Sequence, residues 1–169
     1  MMGAGKTAVG KSLAAILNVP FLDSDEEIVK AANMSIAEIF ERDGEAFFRQ
    51  RETEVITRLL KEERGILSTG GGAFLSERNR KIIAETGYSL WLQADLDLLW
   101  SRVRHKNTRP LLQTDNPYET LKSIYKARVP AYEKARGCVS GHPDYSIEDM
   151  RDAVLEKLLS EPDLIKVTE

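Results

Sequence analysis

The chain has 169 residues, 42% of them hydrophobic and 30% charged, with a net charge of −3 at neutral pH. That length suits one domain with a real core, and that composition is ordinary for a globular protein. The mild acidity argues against a dominant nucleic-acid surface, no apolar run reaches membrane-spanning length, and residues 1–17 lack the continuous apolar core of a signal peptide. The single cysteine, Cys138, excludes an internal disulfide framework and fits a reducing cytosol. Its expected role is a small buried hydrophobe rather than a catalytic thiol.

The chain opens on Gly3-Ala4-Gly5-Lys6-Thr7, the second half of the phosphate-binding pattern G-x-x-x-x-G-K-[ST]. Backbone N–H groups of such a loop, at the positive end of a helix, cradle phosphates. Here they belong to Gly3, Ala4, Gly5, Lys6, Thr7 and Ala8. Lys6 is placed to reach the β- and γ-phosphates, and the Thr7 hydroxyl to meet Mg²⁺. The pattern's first glycine would fall one residue before Met1, and the strand that delivers the loop is also missing. The expectation is therefore a gene start assigned too late, a hypothesis that N-terminal mass spectrometry of active native protein would refute by finding Met1. Residues 5–12 also fit the full pattern, but that register would crowd Lys6, Thr7 and Val9 around the phosphates. The earlier register starts a helix near Lys6, with Val9, Leu13, Ile16 and Leu17 on one buried face.

A strand is expected at Val19–Leu22, followed by helices at Asp25–Ala32, Ile36–Arg42 and Glu45–Glu63. Ser35-x-x-Glu38 reads as a capping box. Between the first strand and its helix stand Asp23, Ser24 and Asp25. Two carboxylates at a strand end can divide the work, one holding Mg²⁺-bound water and the other accepting a substrate proton. Ser24-x-x-Glu27 also looks like a capping box, and the aspartates could simply favour a helix N-terminus; taken alone the readings weigh evenly, and downstream of a P-loop helix the functional one is favoured. Arg49 and Glu52 share a helix face. Arg49 can grip an anion through its planar fork, although a solvated salt bridge is the commoner meaning of such a pair.

A buried strand at Gly65–Ser68 ends in Gly70-Gly71-Gly72. Three successive glycines mark a place where something approaches the backbone closely. Ser76 is placed to cap a helix running to Thr86. A strand at Tyr88–Gln93 and a helix from Asp95 to Val103 come next. Residues 104–117 are polar and turn-rich and read as a mobile lid. It carries Arg109, which suits charge stabilisation on a phosphoryl group in flight, or else is simply a solvated loop arginine. A helix over Tyr118–Ala135, disturbed at Pro130, holds Arg128. A strand at Gly137–Val139 and a helix at Ile147–Ser160 close the chain. Strands alternating with helices imply an α/β fold, a parallel sheet with helices on both faces and ligands at the strands' carboxyl ends.

The ordered set of motifs resembles the shikimate kinase family. It comprises residues 2–10, Phe21-Leu-Asp-Ser-Asp25, Ile39-Phe-Glu-Arg-Asp-Gly44, Phe48-Arg-Gln-Arg-Glu52, Ser68-Thr-Gly-Gly-Gly-Ala73, Arg109-Pro-Leu-Leu112 and Arg128-Val-Pro-Ala-Tyr132. The resemblance implies a P-loop kinase fold with a five-stranded parallel sheet, its first strand absent here. It implies a single kinase domain with a substrate-binding helical region at about 25–60. The implied activity is transfer of the ATP γ-phosphoryl to the 3-hydroxyl of shikimate, in aromatic amino-acid synthesis.

By resemblance Asp25 binds shikimate and is the candidate base, while Arg49, Gly71, Gly72 and Arg128 bind shikimate. Lys6 and Arg109 meet the phosphates, and Thr7 and Asp23 serve Mg²⁺. A cytoplasmic monomer that binds neither nucleic acid nor membrane is expected. Residues 139–143 stand where the family lines the adenine, but they carry no motif, and His142 reads as a solvated turn residue. Three rivals stand beside this reading: another small-molecule kinase of the same fold, such as a gluconate kinase; a non-catalytic relative; and a chain that does not fold stably.

Overall fold

The computed structural model describes residues 1–105, 110–162 and 164. The chain divides into two compact units, one of Met1–Val9 with Ser89–Glu169 and the other of Gly10–Tyr88. Helix α1 (Lys6–Leu17) gives its first turn to the former and the rest to the latter. The helix start at Lys6 excludes the alternative phosphate-loop register, because residues 6–12 are helical.

In the unit of residues 10–88, strand β1 (Phe21–Asp23) pairs in parallel with β2 (Ile66–Ser68), Asp23 opposite Ser68. The strand begins later than the expected Val19 because Pro20 has no N–H to donate to a ladder. Its carbonyl still accepts from Ile66 at 2.9 Å. Helix α2 (Ser24–Ala32) follows without a linker. Its cap is Asp23, whose Oδ1 accepts from the backbone N–H groups of Asp25 and Glu26 at 2.9 and 3.4 Å. The cap thus belongs to an aspartate, and the alternative of a Ser24–Glu27 box does not form: Ser24 is 0% exposed and its Oγ accepts from the Gly70 N–H at 3.3 Å.

Helix α3 (Ile36–Glu62) opens on the expected Ser35–Glu38 box and is interrupted at Gly44, with φ 82°. The break falls between the two helices read from the sequence. Ile28, Ile39, Phe48, Val55 and Leu59 form the core that joins α2 to α3, with Leu22 and Leu67 packed against it. A short 3-10 turn (Ala73–Leu75) leads to α4 (Glu77–Thr86), capped by Ser76.

Gly10 explains how closely α1 approaches β1. A Cβ built there would sit 2.6 Å from Phe21 Cε2. In an open helix Gly→Ala stabilises by roughly 0.5–1 kcal/mol. Overpacking here costs about 1–3 kcal/mol and outweighs it. Gly10→Ala is therefore expected to lower the urea midpoint, and a rise would show that Phe21 yields freely. The α1 stripe is centred differently from the expected one. Val9, Leu13 and Ala14 are buried, whereas Ile16 is 47% exposed. The buried arc runs through Leu13 and Leu17, and Ile16 lies at its edge.

In the other unit, β3 (Leu90–Gln93) pairs in parallel with β4 (Gly137–Ser140). Helix α5 (Leu96–Val103) is capped by Asp95, which accepts from the Leu98 N–H at 2.7 Å. Helix α6 (Pro117–Tyr132) is capped by Asn116, with Pro117 in its first turn, where a missing N–H costs nothing. Pro117 thus belongs to the helix rather than the loop. The helix carries through Pro130 and stops two residues later, short of the expected Ala135. Trp100 of α5 meets Tyr118 of α6 edge-on at 5.4 Å. Helix α7 (Ile147–Leu159) starts on a Ser146–Asp149 capping box. Cys138 is exposed, not buried as expected. It alternates with buried Gly137 along β4 and shares the outward side with exposed Ser140. Its thiol donates to Gln93 Oε1 at 3.4 Å.

Among the described residues the strands thus form two parallel pairs. No helix there is long and apolar enough to cross a membrane.

Candidate active site

The phosphate-loop residues belong to the unit of residues 1–9 and 89–169. Gly3 and Gly5 take φ values of 77° and 87°, a left-handed conformation that favours glycine. At Gly3 the space also demands it: a Cβ would come within 2.9 Å of Val103 Cγ1 and 3.3 Å of the Leu99 carbonyl. Arg102 Nη1 donates to the Gly3 carbonyl at 3.2 Å, tying the loop to α5. Lys6 folds back over the loop and its Nζ donates to the Met1 carbonyl at 3.1 Å. Met1 is buried, and the charges of Lys6 and Arg128 both act on that spot beside the loop, a setting that favours a multiply charged anion. Arg128 also bonds Tyr132 one turn on; burial raises the Tyr132 hydroxyl, with Arg128 opposing. Thr7 lies exposed in the first turn of α1, whose leading N–H groups have no partner within the helix. Arg109 falls outside the described residues, as do its neighbours Lys106, Asn107 and Thr108.

The unit of residues 10–88 gathers Asp23, Asp25, Arg49 and Gly70–Gly72. β1 and β2 end side by side, so Asp25 and the glycine turn emerge together at the carboxyl edge of the pair. The glycines are explained by what lies against them. A Cβ on Gly70 would sit 2.8 Å from Asp25 Oδ1, and one on Gly72 would sit 2.5 Å from Arg49 Nη2 and 2.6 Å from Nη1. The turn thus brings bare backbone against a carboxylate on one side and a guanidinium on the other. Gly71 lies between these two contacts. Phe48 backs Arg49, with the guanidinium carbon 5.2 Å from the ring centre.

Glu52 is the hidden partner of this group. It is 1% exposed, and its Oε2 accepts from Arg49 Nη1 at 2.9 Å. Its Oε1 has no hydrogen-bond partner among the described residues. Burial pushes the Glu52 carboxyl above its ordinary value, Arg49 opposes, and the Asp25 charge pushes it up further. Arg49 shows the complement. Its burial favours the neutral form, but Glu52 and then Glu45 raise the guanidinium above its ordinary value. The pair is therefore a half-buried cation steered by a buried anion, not the solvated bridge that the sequence left open.

A carboxyl with its native pKa above the unfolded value of 4.5 binds more protons folded than unfolded in that interval. Stability from this group is fullest below about 4.5 and falls as pH rises through the raised native pKa. Glu52→Gln removes that slope. The parent is expected to lose stability relative to Glu52→Gln as pH rises above about 4.5 in urea unfolding; a difference constant with pH would contradict this.

The donor set bears on a metal. Among the described residues no three His, Cys, Asp or Glu side chains cluster as ligands for an ion. The unit of residues 1–9 and 89–169 offers the Thr7 hydroxyl at a helix start, and the unit of residues 10–88 the Asp23 carboxylate, one oxygen of which caps α2. Each is a hard oxygen donor of the kind Mg²⁺ takes, one or two at a time beside phosphates and water.

Comparison with known proteins agrees with this chemistry. The family model described as Shikimate kinase matches residues 2–159. The chain belongs to the shikimate kinase family. It is 60% identical over 168 residues to the shikimate kinase of Ruegeria pomeroyi, covering 99% of this chain and 86% of that protein. It is 57% identical over 169 residues to that of Cereibacter sphaeroides, covering 100% and 84%. The solved shikimate kinase of Acinetobacter baumannii in complex with shikimate superposes with a TM-score of 0.86 at 38% identity, covering 94% of this chain and 89% of that one. The fold is that of the P-loop kinases, and membership makes the chain an ATP-dependent small-molecule kinase acting on an alcohol group.

Two residues escaped the sequence reading. Ser24, which looked like a cap, anchors Gly70, and Asn79 lies buried beneath the glycine turn. Asn79 has no periodic or motif signal and Ser24 has a misleading one, since the partners that decide both lie far away in sequence.

Proposed function

We propose that this chain passes the γ-phosphoryl of ATP to the 3-hydroxyl of shikimate, giving shikimate 3-phosphate and ADP, with residue roles as follows. Arg49 and Arg128 hold the shikimate carboxylate, and the backbone of Gly71 and Gly72 supports the ring. Asp25 orients the 3-hydroxyl and takes its proton. The O3–Pγ bond forms as the bond from Pγ to the β-phosphate bridging oxygen breaks, and ADP departs with the electron pair. The loop of Gly3 to Ala8 holds the phosphates, Lys6 and Arg109 neutralise charge on the group in transit, and Thr7 and Asp23 serve Mg²⁺, Asp23 through water. When bound, Mg²⁺ supplies charge neutralisation across the β- and γ-phosphates. Water exclusion falls to the lid assigned to about 104–117, since water would otherwise compete as acceptor.

The observation that carries this reading is the glycine turn, with Asp25 against Gly70 and Arg49 against Gly72. A carboxylate acceptor and a guanidinium a few residues of backbone apart suit a small molecule bearing both a hydroxyl and a carboxylate. The two units are taken to work as one kinase domain. A cytosolic monomer is the accompanying reading: the single cysteine fits a reducing cytosol, and the family resemblance suggests a monomer.

ADP release from ATP and Mg²⁺ against a panel of shikimate, quinate and gluconate tests the assignment. Strong stimulation by shikimate and little by gluconate is expected. Preference for gluconate would bring forward the rival kinase, and ATP binding without stimulation by any acceptor the non-catalytic one.

A further inference from the structure

We propose that Asn79 is a positioning residue for shikimate binding: its buried amide ties the glycine turn to helix α3 and so sets Gly72 against the Arg49 guanidinium. The inference rests on the reading of Arg49 and Gly72 as shikimate-binding residues.

Asn79 is 0% exposed. Its Nδ2 donates to the Ala73 carbonyl at 2.9 Å, and its Oδ1 lies 2.7 Å from Thr53 Oγ1. The Ala73 carbonyl can only accept, which fixes the amide's orientation and makes Oδ1 the acceptor from Thr53. Thr53 Oγ1 also lies 3.0 Å from the Arg49 carbonyl, one turn back on the same helix. With one hydrogen to give, the shorter contact to Asn79 takes it. The backbone N–H of Asn79 donates to Ser76 Oγ at 3.3 Å, which roots the residue in the first turn of α4. One side chain therefore spans three elements: the glycine turn, α3 and α4.

Filling this volume does not require an amide. Burying one is costly unless both of its ends are bonded, and an apolar side chain of similar size would pack without that demand. What the amide adds is a fixed spacing between the turn and α3. Spacing matters here because Gly72 leaves almost no tolerance: a Cβ there would overlap the Arg49 nitrogens. The outer end of the turn is held separately, by Arg80 Nη1 donating to the carbonyls of Phe74 and Leu75 at 2.8 and 2.7 Å. Asn79 thus governs the inner end, next to the glycines. Displacements on the order of 1 Å at a binding group weaken catalysis strongly.

The test is steady-state kinetics on the full protein with Asn79→Leu, Thr53→Val, Thr53→Ser and Arg49→Lys, with circular dichroism as a check of folding. Asn79→Leu is expected to raise the KM for shikimate by about tenfold, the equivalent of one well-placed hydrogen bond, with the KM for ATP unchanged. Thr53→Val should move the same way by less, and Thr53→Ser, which keeps the hydroxyl, should match the parent. A folded Asn79→Leu with parental shikimate KM overturns the proposal, as does a parallel rise in both KM values. If Asn79→Leu does not fold, equal shikimate KM values for Thr53→Val and Thr53→Ser overturn it. Arg49→Lys separates the two levels. An unchanged shikimate KM there overturns the site reading and the proposal with it. A raised KM there, beside unaffected Asn79 and Thr53 variants, overturns the positioning role alone.

Discussion

Asp25→Asn is expected to lower kcat for shikimate phosphorylation by about 10²–10⁴-fold, the usual range for loss of a general base. Asn matches Asp in size and keeps an acceptor oxygen, so the contact with Gly70, where a Cβ would fall 2.8 Å from Oδ1, remains possible. The α2 cap is untouched, because Asp23 provides it. What disappears is the ability to take the proton of the 3-hydroxyl. Removing the Asp25 charge also lessens the push on the Glu52 carboxyl. Arg49 should therefore stay paired and shikimate KM should change little. The expected signature is a kcat defect with nearly parental KM for both substrates, read by coupled ADP release. A variant retaining most of its kcat would assign the proton elsewhere and reduce Asp25 to a binding group.

Lys6→Met is the second large effect. Met keeps the length of the stem and its burial along the loop but removes the ammonium. In the present arrangement Lys6 Nζ donates to the Met1 carbonyl at 3.1 Å, so the head lies across the glycine loop where phosphates are expected. Phosphoryl transfer depends on positioning and charge neutralisation rather than covalent chemistry. Loss of one such donor costs about 10²–10³-fold in kcat. Gly3 and Gly5 hold the loop shape through their own backbone angles, so the fold should survive. Shikimate binding in the absence of nucleotide should be unaffected, which separates this variant from those at Arg49. If Lys6→Met weakened shikimate binding alone, the assignment of the loop to ATP would fail.

Much of this was legible in the sequence, and the exceptions share a cause. The start of α1 at Lys6, the Ser35 and Ser76 caps and the break between two helices near Gly44 are local events, decided by residues a few positions apart. They could be read from spacing. The three glycines announced a close approach but not what approaches, because Asp25 and Arg49 lie 45 and 23 residues earlier than Gly70 and Gly72 in the chain. Ser24 satisfied a local capping pattern, yet Asp23 won the cap. The strand ends at Asp23, and the buried serine found the Gly70 N–H instead. Cys138 was misplaced because type alone suggests burial, whereas alternation along β4 turned it outward. Asn79 gave no signal, since its partner Thr53 is 26 residues away. Strands of three or four residues lose their ends to the same effect: a proline such as Pro20 or a partner's register decides them, not apolar content.

The most direct test of the account is the identity of the product. The chain would be incubated with ATP, Mg²⁺ and shikimate, and the mixture read by phosphorus NMR with proton correlation. The account predicts ADP in equal amount to one new phosphate ester, its phosphorus coupled to the proton on C3 of shikimate. ADP formed without an ester, or an ester on another hydroxyl, would contradict it.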